Sequence, residues 1–430
     1  MKTINIGIIG LGTVGGGLFD LLRDNVNVIT ARTGLNFRIK MICDLRLEYA
    51  RTRAENVPIT DNWRTIIKDP DIDIVVELIG GMEPAKTIIL ESLKAGKGVV
   101  TANKKLLAEE GSDIFNAPFG SGRLGFEASV GGGIPCIMAL RHGLVGNRVR
   151  SIMGILNGTT NYILTRMEED GMSFDDALRD AQKHGFAEAD PSFDIGGFDA
   201  GHKIVLLAMM SFNRKIRYQD ISIEGITRIN RLDVEYAREM GYVIKLLGIA
   251  KETPVGIDVR VHPTMIPAGH HLASVRNEYN SIMFDCDMTG PVVMTGRGAG
   301  ARATASAVLS DIVQIALHGN SYQAPLVTNG DATLIEPAKR RSRYYLRIQT
   351  DDRPGILAGI AGEFGRHQIS ISSVIQKEVH AEHVPLIFMT HEAEEEGMLR
   401  AVRAIEQFDF VHGDVVTIRV EDSLDSREVS

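Results

Sequence analysis

Cysteine is scarce: Cys43, Cys136 and Cys286 are the only three, far apart and without a C-x-x-C pair. That spacing excludes a disulfide scaffold and a cysteine-rich zinc site. No apolar run approaches the roughly 20 residues that a membrane span needs. Positive charge is not in excess: 47 Lys and Arg stand against 55 Asp and Glu, a net charge of −8. Nothing therefore draws the surface broadly to nucleic acid or to an anionic membrane. Gly7, Gly10, Gly12 and Gly15 break the apolar N-terminus before it can form a signal-peptide core. The 44 glycines and 14 prolines fall far below collagen-like or low-complexity levels. What is present, 44% hydrophobic and 24% charged residues in a chain of 430, is a globular balance over two or three domains. The expectation is a soluble, cytoplasmic enzyme or regulator.

The first 130 or so residues alternate short apolar strands with helical stretches. Ile4–Ile9, Phe37–Cys43, Ile72–Ile79 and Gly98–Thr101 read as strands, and Pro84–Ala95 as a helix stopped by Gly96. Near-continuously apolar strands alternating with helices predict an α/β domain with a parallel sheet covered on both faces. From about Arg150 the pattern becomes α+β. A strand over Arg150–Leu156 leads to a polar turn, Asn157–Asn161, then to helices over Phe174–His184, Phe198–Phe212 and Asp233–Gly248. Strands follow at Val255–His262 and Ser281–Thr289, then a glycine-rich loop, Thr295–Gly300, and a small-residue helix, Ala301–Leu317. Gly319–Arg343, with its Lys339-Arg340-Arg341 cluster, reads as a linker. The rest has the order β-α-β-β-α-β: Tyr344–Gln349, Pro354–Gly365, Ile369–Gln376, Val384–Thr390, Glu395–Glu406 and Asp414–Val420. That order is a ferredoxin-like split unit. The charged end, Glu421–Ser430, is expected to fray.

Gly10-Leu11-Gly12-Thr13-Val14-Gly15 is a G-x-G-x-x-G that directly follows a strand and opens a helix. Gly10 permits the tight turn, Gly12 admits a pyrophosphate to the backbone, and Gly15 allows helix and sheet to pack closely. Asp44 follows the second strand, later than the usual spacing. It would accept a ribose 2′-hydroxyl and favour NAD, whereas Arg46 would meet a 2′-phosphate and favour NADP; the alternative for both is a solvated loop charge. Gly80 and Gly81 end the third predicted strand, either leaving room for a nicotinamide or making a plain turn. Thr101-Ala102-Asn103-Lys104-Lys105 ends the fourth and points one of two lysines at the gap between nicotinamide and substrate.

Helix Phe198–Phe212 is apolar all round in its second half, so it is buried, yet it opens with Asp199 and Lys203 one turn apart. A partly desolvated lysine there can move the proton at a carbonyl oxygen while hydride moves at carbon, with Asp199 holding it. Glu188, Asp190 and Asp194 crowd carboxylates just upstream and suit an ammonium group. Asn157, Gly158 and Thr159 offer amide, backbone N–H and hydroxyl donors for a carboxylate. A ligand with both groups is an amino acid.

With GLGTVG, TANKK at 101–105, EASVGGGIP at 127–135, GILNGTTNYI at 154–163, EADPSFDIGGFDAGHK at 188–203 and GRGAG at 296–300, the chain resembles the homoserine dehydrogenases that carry a C-terminal regulatory domain, over essentially its whole length. The resemblance implies NAD(P)-dependent interconversion of L-aspartate 4-semialdehyde and L-homoserine, on the route to threonine, methionine and isoleucine. It implies Lys203 as proton donor, Asp199 as its partner, and Lys104 or Lys105 beside nicotinamide and substrate. Glu188 and Asp194 would bind the polar end of the substrate, and Gly298 and Gly300 would close over the cofactor. A monovalent cation, often sodium, would lie on backbone carbonyls at Glu127, Val130, Gly132 and Ile134. The third unit resembles an ACT domain through Asp351-Asp352-Arg353-Pro354-Gly355-Ile356-Leu357. Free N–H groups at that helix start suit a ligand carboxylate, and the resemblance implies L-threonine as inhibitor at Asp352, Gly355, Ile356 and Leu357.

The implied layout is a Rossmann domain from 1–133 with 297–335, a catalytic and dimerisation domain from 134–296, a linker over 336–342, an ACT domain over 343–421 and a flexible tail over 422–430. Paired units imply a homodimer or homotetramer, and deletion from Arg343 onward is expected to spare catalysis while removing inhibition. A sugar-type oxidoreductase would share the glycine fingerprint but not the 188–203 block. An aspartate-semialdehyde dehydrogenase needs a nucleophilic cysteine, and Cys136 has no evident histidine partner. Loss of Lys203 or of the fingerprint glycines would favour an amino-acid-responsive regulator on a retired dinucleotide fold, and both are present.

Overall fold

A computed structural model describes residues 1–117, 123–319, 330–377 and 383–422. The tail expected to be flexible, beyond residue 422, and part of the Gly319–Arg343 stretch lie outside the described residues. The chain divides into two compact units.

The first unit holds Met1–Gly158, Asp199–Ile221 and Glu278–Ala332. Its centre is a six-stranded sheet of β1 (Lys2–Ile9), β2 (Leu35–Cys43), β3 (Ile59–Thr60), β4 (Ile74–Glu77), β5 (Gly98–Thr101) and β6 (Leu124–Gly125). The order is β3-β2-β1-β4-β5-β6, and every pair is parallel. This is the expected Rossmann arrangement. The order reverses between β1 and β4, where the carboxyl ends of the strands open a crevice. The strands β3 and β6, two residues each, carry no periodic signal and were not anticipated. After the fingerprint helix, Thr13–Asp24, a second helix, Val26–Thr33, ends on Gly34 at φ 70°. That extra helix is why Asp44 falls late.

Helix Ala301–His318 lies directly on the fingerprint helix. A Cβ on Gly17 would strike the Ala301 carbonyl, so the pair packs backbone to backbone. This is the physical reason for the small residues on both. The unit also has an antiparallel group: Gly290–Arg297 pairs with Tyr279–Cys286, which pairs with Val149–Ile155. The expected Thr295–Gly300 loop is therefore shorter. Thr295, Gly296 and Arg297 belong to the strand, and the turn starts at Gly298.

The second unit holds Thr159–Phe198, Ser222–Asn277 and Thr333–Ser430. The expected helix over Asp233–Gly248 is overturned. A helix spans Arg231–Glu239, started by a capping box of Asn230 and Asp233, and a strand spans Tyr242–Thr253. Gly241, at φ 81°, makes the turn between them. The apolar run after it is buried on both faces, and periodicity does not separate such a strand from a buried helix. Asn157–Asn161 is also not a free turn, because a helix runs over Gly158–Glu169 with Thr159, Thr160 and Asn161 buried.

The ferredoxin-like unit is present as Arg341–Thr350, Ile356–Arg366, Ile371–Gln376, Val384–Thr390, Glu395–Ile405 and Val416–Val420. Tyr344, Leu346, Ile348, Ile360, Phe364 and Phe388 sit in its core. It is not a detachable appendage. Val416–Val420 pairs with Gly256–Pro267, and Arg347 meets the buried Asp233 at 2.7 Å. The 336–342 stretch holds a 3₁₀ turn, Pro337–Lys339, and the start of a strand, with Arg340 buried 2.7 Å from Asp258. Deletion from Arg343 would strip a strand from this sheet and orphan buried charges, so it is not the clean test that sequence alone offered.

Candidate active site

Helix Phe198–Phe212 is buried along most of its length, and its first turn places Asp199 and Lys203 on one face. The Lys203 ammonium donates to Asp199 Oδ2 at 2.6 Å and to the Leu156 carbonyl at 2.6 Å. Asn157 Nδ2 donates to the same Asp199 oxygen at 2.9 Å. The other oxygen, Oδ1, lies 3.0 Å from the Lys104 ammonium. Burial pushes the Asp199 carboxyl up, but the charges of Lys203 and Lys104 outweigh it and hold the group well below the usual carboxylate range. Two ammonium groups thus share one buried carboxylate, leaving a net positive site able to polarise a carbonyl oxygen and hand it a proton.

Lys104 reaches this position because β5 ends at Thr101 and Asn103 caps the next helix, Lys104–Phe115, accepting the Leu106 N–H at 3.2 Å. Lys105, its sequence neighbour, is exposed. Of the two lysines, only Lys104 is brought to Asp199. Sequence reasoning passed over two supports. The buried Glu77, at the end of β4, accepts from Thr101 Oγ1 at 2.6 Å and from the Ile79 N–H at 2.9 Å, which ties the ends of β4 and β5 together. Burial pushes its carboxyl up against those bonds. His202 Nε2 lies 2.8 Å from Glu109 and its ring stacks on Tyr218, linking the Lys104 helix to the Lys203 helix. A glutamate closing an apolar strand was a readable signal; the His202–Glu109 pair, 93 residues apart in sequence, had none.

Gly10 sits at φ 100°, a conformation side chains disfavour, and a Cβ on Gly15 would run into its carbonyl oxygen. A Cβ on Gly12 would meet only open space. The helix behind it has no acidic residue in its first turn and no side-chain cap, so its N–H groups are open to an anion. Thr13 is exposed and Val14 half-buried there. These features fit a pyrophosphate. Asp44 is already engaged. Oδ2 accepts the Leu11 N–H at 2.8 Å, and Oδ1 accepts the Arg46 N–H at 2.9 Å. The Arg46 guanidinium also pairs with it at 3.1 Å while lying over the Tyr49 ring. Burial raises the Asp44 carboxyl, and Arg46 with the two amides more than offsets it. Gly80 and Gly81, at φ 71° and 73°, face open space, and Asn103 Nδ2 donates to the Gly81 carbonyl at 2.7 Å.

Gly298 has a packing reason of its own: a Cβ there would collide with Asn280, and one on Gly132 would collide with Gly298. Gly300 precedes helix Ala301–His318 at φ 109°. Gly158 fits closely against the Glu278 carbonyl. The Glu127 carboxylate accepts the Ile137 and Met138 N–H groups at 2.9 and 2.7 Å, so it caps a short helix. Burial, with the Asp311 charge beside it, pushes it up to about 7. The Val130 carbonyl accepts from Cys136 Sγ and the Ile134 carbonyl from the Cys136 N–H.

In the second unit, Thr159 Oγ1 donates to Asp194 at 2.9 Å and lies 2.5 Å from the Phe186 carbonyl. Glu188 is exposed, and Asp190 accepts the Ser192 N–H, which gives it a local capping role. Asp352, Gly355, Ile356 and Leu357 line a cavity of about 370 Å³, with Gly355 at φ 95° opening the helix.

The family model described as homoserine dehydrogenase matches residues 135–313, and its NAD-binding domain matches 10–122. A homoserine dehydrogenase of Neisseria gonorrhoeae is 42% identical, over 98% of this chain and 99% of its own. The chain belongs to the homoserine dehydrogenase family. Another homoserine dehydrogenase, of Pseudomonas aeruginosa, is 40% identical with the same coverage. The crystal structure of one from Thiobacillus denitrificans superposes with a TM-score of 0.91 at 42% identity, over 98% of this chain and 99% of that one. Residues 344–410 match the ACT domain. For a homoserine dehydrogenase, the Rossmann crevice is the NAD(P) site and the chemistry is that of an oxidoreductase in amino-acid biosynthesis. No helix among the described residues is long and apolar enough to cross a membrane.

Proposed function

We propose that the chain reversibly reduces L-aspartate 4-semialdehyde to L-homoserine in the cytoplasm, on the route to threonine, methionine and isoleucine, with Lys203 as proton donor. The observation that carries the assignment is the buried Lys203 ammonium, held by Asp199 and by the Leu156 carbonyl. A reduced nicotinamide held in the crevice would supply the hydride for the aldehyde carbon. Lys203 gives its proton to the aldehyde oxygen and is reprotonated from solvent. Asp199 keeps the ammonium charged and aimed, and Lys104 adds a second positive charge where negative charge develops. Glu188 and Asp194 would take the substrate ammonium, and Asn157, Gly158 and Thr159 its carboxylate, Gly158 and Thr159 through backbone N–H groups, since the Thr159 hydroxyl donates to Asp194.

Gly10, Gly12, Thr13, Val14 and Gly15 would cradle the pyrophosphate, Gly80, Gly81 and Thr101 would leave room for the nicotinamide, and Gly298 and Gly300 would close over the cofactor. Arg46 is the group that can receive a 2′-phosphate, and with Asp44 already engaged it favours NADP. A hyperthermophilic archaeal homoserine dehydrogenase, 25% identical and covering 74% of this chain, has been solved in complex with NADPH. Backbone carbonyls at Glu127, Val130, Gly132 and Ile134 would hold a sodium ion; those of Val130 and Ile134 each accept one bond, which leaves a second lone pair on each. L-Threonine inhibits from the cavity at Asp352 and Gly355, in a dimer or tetramer.

The test is absorbance at 340 nm with aspartate semialdehyde and either NADPH or NADH, with and without threonine. Oxidation of cofactor that depends on the semialdehyde and is slowed by threonine is expected. No turnover with either cofactor overturns the reading.

A further inference from the structure

Two strand ends of the ferredoxin-like unit and the segment around Val411 meet at one end of its sheet. Thr350 pairs with Val384 on one side and bridges to Val411 on the other, and the His412 N–H donates to the Gln349 carbonyl at 2.8 Å. This register brings together the next residue of each segment: Asp351, His383 and His412. All three are half-buried, and one ligand atom from each lies within 4.8 Å of the others. Asp351 Oδ1 is 2.6 Å from His412 Nε2 and 3.7 Å from His383 Nδ1. The two imidazoles stack with centroids 3.7 Å apart. His383 Nδ1 is enclosed yet has no hydrogen-bond partner among the described residues. An enclosed ring nitrogen left without a partner costs free energy unless something else satisfies it.

We propose that Asp351, His383 and His412 form a binding site for a divalent transition-metal ion of the Zn²⁺, Co²⁺ or Ni²⁺ class. Two imidazole nitrogens and one carboxylate oxygen are a ligand set for these borderline ions, and water completes the coordination. Mg²⁺ and Ca²⁺ take oxygen ligands in greater number and are disfavoured. Binding gives His383 Nδ1 a partner and displaces the proton between His412 and Asp351. The stacked rings must fan apart for both lone pairs to converge on one ion. Arg353 acts against the site, with its Nε 3.4 Å from Asp351 Oδ2, although Asp409 shares that guanidinium at 3.3 Å. Asp351 therefore binds through Oδ1, while Oδ2 stays with arginine. The three cysteines are buried and do not compete.

The experiment uses the full chain after chelator treatment and dialysis. Zn²⁺ is titrated by calorimetry, and Co²⁺ is followed by its visible absorption. One equivalent per chain is expected, with a Co²⁺ spectrum of mixed nitrogen and oxygen ligation. His383→Ala and His412→Gln are each expected to weaken binding at least about tenfold, with melting temperatures confirming that both fold. His391→Ala, an exposed histidine of the same unit, is expected to bind as the wild type does. No uptake by the wild type, or uptake that survives both the His383 and His412 changes, overturns the proposal.

Discussion

The ammonium of Lys104 lies 3.0 Å from the Asp199 oxygen that Lys203 leaves free. Lys203 binds Asp199 from within its own helix, whereas Lys104 arrives from the end of a sheet strand. One buried carboxylate thus ties the crevice side of the Rossmann sheet to the helix that carries Lys203.

Replacing Lys203 with Ala removes the proposed donor but none of the fingerprint. Turnover is expected to fall by about 10² to 10⁴, with cofactor affinity retained in a fluorescence titration. Wild-type turnover in this variant would end the assignment of its role.

Asp199→Asn leaves two ammonium groups side by side without their counter-charge, in a site with little water to compensate. A loss of kcat is expected, with the alkaline limb of the pH–rate profile moving to lower pH. A profile that keeps its wild-type shape would show that Asp199 does not hold the charge on Lys203.

The fingerprint glycines should separate by mechanism. Gly12→Ala places a methyl in open space, so the melting temperature should stay near that of the wild type while KM for cofactor rises. Gly15→Ala drives a methyl into the Gly10 carbonyl and should lower the melting temperature as well. Equal effects on stability would contradict the geometry.

Arg46→Ala removes the cation offered to a 2′-phosphate. KM for NADPH is expected to rise more than KM for NADH, since Asp44 and its bond to Leu11 remain. Parallel kinetics with both cofactors decide the point.

Lys245 gives a test in pH. It is fully buried, donating to Asn161 Oδ1 and to the Val275 carbonyl, and burial pulls its ammonium down to about 8 from 10.5. Between those values the unfolded chain binds the extra proton, so stability rises with pH across that window. Below pH 8 the charge is present in both states and its burial costs on the order of 3 kcal/mol. Lys245→Met removes the donor to Asn161 Oδ1 and to the Val275 carbonyl at every pH, but should abolish the rise between pH 8 and 10.5. Denaturant unfolding of both proteins across that range shows whether it does.

Much was legible where the signal is local. The fingerprint, the carboxylate–lysine turn of helix Phe198–Phe212 and the β-α-β-β-α-β order are each written in adjacent residues. The strand Tyr242–Thr253 was misread because a run buried on both faces has no period to reveal it. Asp44 was readable as a strand-end acid but not as a group engaged by Leu11 and Arg46.

Residue order alone determined the three fingerprint glycine positions, the partnership of Asp199 with Lys203, and the presence of a third, ferredoxin-like unit. Helix pitch and turn sterics act over a few residues and need no distant partner. Folding decided which of Lys104 and Lys105 meets Asp199, and that Glu77 props Thr101. It also decided that the C-terminal unit continues a sheet rather than hanging from a linker, and that Asp351, His383 and His412 converge. Each of these depends on side chains or strands brought together from far apart in the chain, where burial and charge, not spacing, determine the outcome.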